Sequence, residues 1–355
     1  MKLKDIVGIN LKTINKKYDG QIQYLDTSSV TDNHFKGYRT YGNIQSAPSR
    51  ARRIANIGDT VISTVRPNQK HNGFIDTQPD NAIYSTGFTI VSPNTDRVNP
   101  YYLYLFLSSE KVTEFLQQIG ETSTSAYPSV KPSDIENLDI DLPSRDVQDK
   151  ISKEIYLLDS KIKLNNKIND NLSKFRELLY MRLIQSSDVK EVKLTELFNI
   201  AYGKNIAKSE LTRSGTKVFG ANGLIGYTQK PSIISAPTVT ITSRGSGSGY
   251  VSYLNIGNAF LTNNLLYLNE NKNLGLSFSY ETIKSANPKQ FVTGSAQPQL
   301  TIKNLSQSLV KIPSDINLVN KFRRQMYPIE EIIKHNSFEN EKLEMLKNTL
   351  LNKCF

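Results

Sequence analysis

The chain has 355 residues, 38% of them hydrophobic and 22% charged, with a net charge of +11. That is the profile of an ordinary soluble protein long enough for two domains, or one duplicated domain, each with its own core. Its longest apolar run, at 101–107, is far too short to span a bilayer, and the Lys-rich start lacks the apolar stretch of a signal peptide, so a cytoplasmic location without a membrane partner is expected. The one cysteine, Cys354, excludes an internal disulfide framework, and His34, His71 and His335 are too scattered for metal-ligand spacing.

The first elements follow the phrase Lys2-Leu3-Lys4-Asp5-Ile6-Val7. Residues 1–144 carry 15 basic and 15 acidic side chains, yet between 36 and 70 seven basic residues stand against Asp59 alone. A balanced half can therefore present one positive face. The run TVISTVR at 60–66 is rich in β-branched residues and reads as a strand ended by Arg66, after which Gly73-Phe74-Ile75 resumes the extended pattern. NPYY at 99–102 resembles the Asn-Pro-Pro-Tyr loop of adenine methyltransferases, but its third residue is Tyr101 and no glycine-rich cofactor turn precedes it. It reads instead as a helix start, with Asn99 as cap, Pro100 in the first turn and the apolar residues to Leu107 buried. TSAYPSV at 124–130 then leads into polar-apolar alternation that ends at Pro143-Ser144. Asp139 and Asp141 share one face of this stretch and, without a setting that raises a pKa, are expected to be solvated rather than an acid–base pair.

A long helix is predicted next, with apolar residues at Val147, Ile151, Ile155, Leu158, Ile162, Ile168, Leu172, Phe175 and Leu179, largely in steps of three and four. The sequence then repeats itself. Lys193-Leu194-Thr195-Glu196-Leu197-Phe198 restates the opening phrase, Phe219-Gly220 stands to Arg244 as Tyr41-Gly42 stands to Arg66, and TVTITSR at 238–244 is a second strand ended by arginine. Gly249-Tyr250-Val251 resumes the extended pattern, and GSAQPQL at 294–300 restates the Ser-Ala-x-Pro-x-(Val/Leu) phrase before Pro313-Ser314. Residues 186–314 hold 13 basic and 6 acidic side chains, so the positive charge concentrates in this second half.

A second helix restates the first with Leu318, Phe322, Met326, Ile329, Ile333, Glu339, Leu343, Leu346 and Leu350. Glu339 alone breaks the match, and Pro328 predicts a kink near that point or a later helix start. Asn165 and Asn336 hold the same place in the two stripes, where they either fix the register of an apolar seam or are simply exposed. Forty residues of helix span about 60 Å at roughly 1.5 Å per residue. If the two stripes face each other, the second helix runs back along the first, giving an antiparallel pair with similar domains at opposite ends and an approximate two-fold axis. The expected fold is α+β: two strand-rich domains joined by two long antiparallel helices as a coiled-coil spacer, pseudo-two-fold symmetric. The boundaries are 1–144, 145–187 (first helix), 188–314 and 315–355 (second helix). Two basic domains on a stiff spacer suit duplex DNA, because two-fold related modules meet equivalent groove faces when half-sites are suitably spaced.

The chain as a whole resembles the specificity subunit of type I restriction-modification systems. The resemblance rests on Ser125-Ala126-Tyr127-Pro128 and Ser295-Ala296-Gln297-Pro298 before the helices, on the phrase Gly220-Ala221-Asn222-Gly223-Leu224-Ile225-Gly226-Tyr227, on the strand with Arg244, and on the order of these features twice over. It implies that each domain is a target-recognition domain reading one part of a bipartite double-stranded DNA site. The helices would dock methyltransferase (modification) subunits, which hold S-adenosylmethionine for adenine methylation, and the assembly may recruit a restriction (nuclease or translocase) subunit. It implies no cofactor on this chain. Family recognition residues vary with the target, so candidates for DNA contact come from chemistry. Arg50, Arg52, Arg53 and Lys70, with Lys204, Arg213 and Lys217, suit phosphates. Arg66 and Arg244 suit guanine edges, and Gln45 and Asn222 suit adenine. Tyr41, Phe219 and Tyr227 suit sugars or an unstacked base, although an aromatic beside glycine also anchors turns in a core. The two arginines have an alternative as turn-fixing salt bridges.

RGSGSGY at 244–250 lacks the Lys-Ser/Thr of a P-loop and runs into a strand, so it reads as a flexible hairpin or a backbone approach to DNA. No spacing supports a Ser-His-Asp or Cys-His arrangement, so the chain is expected not to be an enzyme alone. Two rivals stay open at this level. A coiled-coil protein–protein adaptor would carry its basic charge incidentally, and a self-contained methyltransferase or nuclease would bind cofactor or metal by itself.

Overall fold

A computed structural model describes residues 1–123 and 127–355. Thr124, Ser125 and Ala126, the first three residues of TSAYPSV, lie outside the described residues. The chain is a mixed helix and strand protein of two compact units, 1–162 with 341–355, and 163–340. The long helices, Arg145–Ser186 and Ile316–Cys354, are therefore divided between the units rather than forming segments of their own. Pro328 does not delay the second helix, which starts at Ile316 and continues through it.

Each unit is built on one antiparallel four-stranded sheet. In the first the order is Val7–Ile9, Phe88–Pro93, Thr60–Ser63, Asn72–Phe74; in the second it is Phe198–Tyr202, Leu265–Glu270, Thr238–Thr242, Val251–Leu254. The opening phrases precede these sheets in the same way. The side chains of Asp5 and Glu196 accept from the backbone N–H of Lys2 and Lys193, and Leu3, Ile6, Leu194 and Leu197 are buried beneath. The carboxylate thus fixes one turn whose apolar residues enter the core, which is why this short phrase survives in both halves.

The second sheets differ. In the first unit five strands run Lys12–Thr13, Ala51–Ile54, Ala82–Ser85, Ile22–Leu25, Arg39–Tyr41, with only Ala82–Ser85 and Ile22–Leu25 parallel. In the second unit three strands run Gly223–Thr228, Thr216–Gly220, Ala259–Leu261, again with one parallel pair. Asn99 caps the helix Pro100–Ser108, its side chain accepting from the N–H groups of Tyr101 and Tyr102, and the apolar face to Leu107 is buried as the sequence predicts. Glu110–Glu121 follows it, and Leu276–Ser285 holds the corresponding place in the second unit.

The seam between the long helices is more polar than the apolar stripe suggests. Ile155, Asn165, Arg176 and Tyr180 are buried on the first helix and Val319, Phe322, Met326, Asn336 and Lys347 on the second, whereas Val147, Ile168, Phe175 and Leu346 are exposed. Burial follows the tighter 3.5-residue spacing of a coiled-coil seam, and a 3.6-residue stripe drifts off it. Within the second unit the helices run antiparallel. Asn165 Nδ2 donates to Asn340 Oδ1 (2.9 Å) and to Glu339 Oε2 (2.7 Å), and Asn336 Nδ2 donates to Asn169 Oδ1 (2.9 Å). Asn165 and Asn336 are matched positions, as are Asn169 and Asn340, so the two amide bonds are reciprocal. Glu339, the break in the apolar match, is an acceptor in this polar layer.

Each unit also receives one buried cation from the far end of a long helix. In the second, Arg176 Nε lies 2.8 Å from Glu281 Oε1, with the guanidinium over the rings of Tyr253 (4.4 Å) and Tyr280 (4.6 Å). In the first, Lys347 Nζ lies 2.8 Å from Asp159 Oδ1, and Asp159 also accepts from the hydroxyl of Tyr101. Burial pushes the Glu281 carboxyl up, against the opposing pull of Arg176. Burial alone would lower the Lys347 ammonium, but the charge and hydrogen bond of Asp159, with the charges of Asp32 and Glu344, together outweigh it and the group stands above its ordinary value.

Candidate nucleic-acid interface

The strand that each of the two candidate arginines marks ends in both units at the same junction. In the first unit, Val130 N donates to Thr64 O (2.9 Å) and Arg66 N to Pro128 O (2.8 Å); in the second, Leu300 N donates to Ser243 O (2.8 Å) and Gly245 N to Pro298 O (3.0 Å). Pro128-Ser129-Val130 and Pro298-Gln299-Leu300, which close the two phrases, are thus held against the strand ends that the arginines mark. Their register differs from the sequence match by one residue. Bridges pair Val65 with Ser129 and Arg244 with Gln299, so Arg244 corresponds to Val65, and Arg66 corresponds to Gly245. Single-residue offsets turn side chains to opposite faces of an extended chain, so the two arginines are not duplicate readers. The visual match fails because the ladder is fixed by the neighbouring strand, where Phe88 faces Ser63 and Leu265 faces Thr242.

Arg66 and Lys70 sit in the left-handed region at φ 52° and 50°, flanking a short 3-10 turn at Pro67–Gln69. Their counterparts are Gly245 and Gly249, at φ 88° and 82°. Two long cationic side chains thus occupy positions that suit glycine. The Arg66 guanidinium lies 4.2 Å from the centre of the Tyr127 ring, and Lys70 Nζ is 3.0 Å from Glu110 Oε2. Arg244 is exposed, at the head of the glycine loop that replaces this turn.

The remaining candidates scatter over both units. Tyr41 packs edge-on against Tyr24, with ring centroids 6.2 Å apart, as a half-buried core residue. It lies opposite Ile22 on an edge strand, while Phe219 lies on a central strand, so these two are not structural counterparts either. Gln45 is exposed but its amide donates to Lys16 O (3.2 Å), and Arg50 is exposed. Arg52 donates to Ala51 O (3.0 Å), and Arg53 Nε is buried without a hydrogen-bond partner. In the second unit Lys204, Arg213 and Asn222 are exposed, and Lys217 and Tyr227 are half-buried opposite one another across a hairpin. Asn222 lies in the tip of that hairpin, where it adjoins Asn263 and Asn264, two residues the sequence reading missed. Among the described residues no group of three or more His, Cys, Asp or Glu is arranged to hold a metal ion, and no helix is long and apolar enough to cross a membrane.

The profile of the type I restriction modification DNA specificity domain matches residues 1–174 and 186–317, once on each half. The chain belongs to this family. It is a specificity family, whose domain recognises DNA rather than carrying out catalysis. The type I restriction enzyme HindI specificity subunit of Haemophilus influenzae is 28% identical over 204 residues, which is 56% of this chain and 44% of that one. This chain thus matches less than half the length of that relative. The S subunit of a type I restriction-modification system from M. genitalium superposes with a TM-score of 0.54 at 16% identity, over 100% of this chain and 95% of the other. That likeness supports the fold. The HsdS subunit from Thermoanaerobacter tengcongensis covers the same share of each chain at 19% identity and a TM-score of 0.44.

Proposed function

We propose that this specificity chain reads a bipartite double-stranded DNA site, one part with each unit, and positions methyltransferase subunits that methylate adenines in the two parts. The observation that carries this reading is the duplication. Each unit repeats the same four-stranded sheet, with Pro128 to Val130 or Pro298 to Leu300 bonded to the same strand end and positive side chains beside it. A polymer with two recognition elements is the partner that a duplicated basic reader suits. S-adenosylmethionine belongs on the methyltransferase subunits, a restriction subunit joins the same assembly, and the complex works in the cytoplasm beside its DNA.

The first long helix supports a docking role. Leu164, Phe175 and Leu178 are 53%, 49% and 64% exposed, and their spacing puts them on one side of that helix. Large apolar side chains left in water along one side of a helix are a mark of an interaction surface. Co-expression with a methyltransferase subunit, followed by mapping of methylated bases in the host genome, tests the reading. Two short motifs separated by a fixed spacer of unspecified sequence are expected; one contiguous motif, or methylation unchanged when the chain is omitted, overturns it.

A further inference from the structure

The second unit contains a cleft of about 270 Å3 beside the tip of the Thr216–Gly220 and Gly223–Thr228 hairpin. Thr262, only 6% exposed, lines it, and its Oγ1 is buried with no hydrogen-bond partner. Burying an unsatisfied hydroxyl is costly, and such groups mark places where a partner is supplied from outside. The corresponding residue of the first unit, Ser85, has no such vacancy, because its Oγ accepts from Gly87 N at 3.1 Å. The orphan is therefore not a requirement of the fold.

Three asparagines line the cleft together with Thr262. Asn222 comes from the hairpin tip, and Asn263 and Asn264 from the turn after Ala259–Leu261. The parallel pairing of Thr216–Gly220 with Ala259–Leu261 brings these distant stretches together. The turn is held firmly: Thr262 N donates to Phe219 O (2.9 Å), Lys204 N to Leu261 O (2.8 Å) and Asn263 N to Lys204 O (3.1 Å). Gly203 lies so close that an added Cβ would sit 2.3 Å from Thr262 O, so the backbone passes there only as glycine. Aliphatic carbon from Leu211 and Ile225 forms the facing walls, and neither an arginine nor a carboxylate lines the cleft.

Resting on the DNA reading proposed above, we infer that this cleft recognises one A·T pair in the part of the site read by the second unit. An asparagine amide offers one donor and one acceptor, the pair that adenine N6 and N7 require in the major groove, and the thymine methyl finds aliphatic carbon beside it. Guanine is read best by arginine and cytosine by a carboxylate, and the cleft presents neither. Lys208, on the rim, has the charge and reach for an adjoining phosphate.

The test uses the chain assembled with its methyltransferase partner, with affinity measured across a set of duplexes carrying every single-pair change in the methylated motif. Asn263→Ala is expected to lose discrimination at one A·T pair by about 5- to 150-fold, the span of a good bidentate contact, and Asn222→Ala to lose less at the same pair. Discrimination elsewhere and the melting temperature should be unchanged. Replacing the adenine of that pair by 7-deazaadenine should weaken the wild type and add nothing to the Asn263→Ala loss. An unchanged preference in both variants, equal weakening on every duplex, or relaxation at a G·C pair would overturn the cleft as an A·T reader while leaving the bipartite reading intact. A wild-type complex that shows no sequence preference would overturn both.

Discussion

In the first unit the strand Ile22–Leu25 leaves its sheet through residues 26–38, which fold a small hairpin of their own at Val30–Thr31 and His34–Phe35 before pairing as Arg39–Tyr41. In the second, the matching strand Thr216–Gly220 turns back almost at once at Ala221-Asn222 and pairs as Gly223–Thr228. The first unit also adds Lys12–Thr13 and Ala51–Ile54 beside Ala82–Ser85, where the second has only a bridge from Ile234 to Ala259. The four-stranded sheets, by contrast, keep the same ladder order throughout. The lesson is a division of labour inside one fold: a shared sheet carries the strand-end junction, and the second sheet with its turns is where the two units diverge. The strand-end loops obey the same rule, with strained cations at Arg66 and Lys70 in one and glycines in the other.

The buried cations give the largest way to break this comparison. Arg176→Ala leaves the Glu281 side chain, 3% exposed, without its cation, and is expected to destabilise the second unit by about 3–5 kcal/mol. Adding Glu281→Leu should recover most of the loss, because the cost lies in the stranded charge. Lys347→Ala should cost the first unit less, since Asp159 is 13% exposed and keeps the Tyr101 hydroxyl. Hydrogen exchange resolved by unit measures all three, and equal losses in the two units would remove the distinction between the two seats. Next in size is the amide layer. Asn336→Ala removes one of the two reciprocal amide bonds, and Asn165→Ala removes the other together with the bond to Glu339, so each should cost about 1–3 kcal/mol in chemical denaturation, Asn165→Ala the more. A larger loss for Asn336→Ala would show that the bond to Glu339 adds nothing.

The duplication, the Asn99 cap, the paired opening phrases and the long helices were legible in the sequence because each is a local pattern with a local cause. What was not legible depends on partners far along the chain. TVISTVR and TVTITSR look aligned at their arginines, yet Phe88 and Leu265 across the ladder fix them one residue apart. The helix seam was misread at Ile168 and Phe175 because an apolar count passes over Asn165 and Asn169, which hold the interface through hydrogen bonds. Of the cleft, only Asn222 was visible; Thr262, Asn263 and Asn264 join it through one parallel strand pair that no short motif announces.

The strand-end loops offer a smaller, sharper test. A non-glycine residue in the left-handed region costs roughly 1 kcal/mol, and the exposed Lys70–Glu110 pair offsets little of it. Lys70→Gly should therefore raise the stability of the first unit by up to about 1 kcal/mol in thermal denaturation. If Lys70 also meets a phosphate, the same change should flatten the dependence of log affinity on log salt by about one unit. Gain in stability with no change in slope would make the strained lysine a feature of the fold alone.

The smallest expected effect separates the two buried cations by pH. Lys347 stands above its ordinary pKa in the folded chain, so the stability drawn from its pair with Asp159 is present in full below the unfolded lysine value of about 10.4 and is lost as pH rises through the higher folded value. Arginine keeps its charge in proteins, so the Arg176 pair has no matching alkaline loss. Tyr101 and Tyr104 face the Lys347 pair with hydroxyls pushed far above their ordinary value by burial first and by Asp159 next, and they weaken the fold from about pH 10 with or without the lysine. Glu344, raised by burial, is already ionised across this window. Only the difference between wild type and Lys347→Arg therefore isolates the ammonium. Hydrogen exchange in Pro100–Ser108 should be the same for both chains at pH 9 and diverge above pH 10.5, with the arginine chain better protected. Parallel loss in the two chains would assign the alkaline weakness of this unit to its tyrosines and leave the lysine pair without a measurable share.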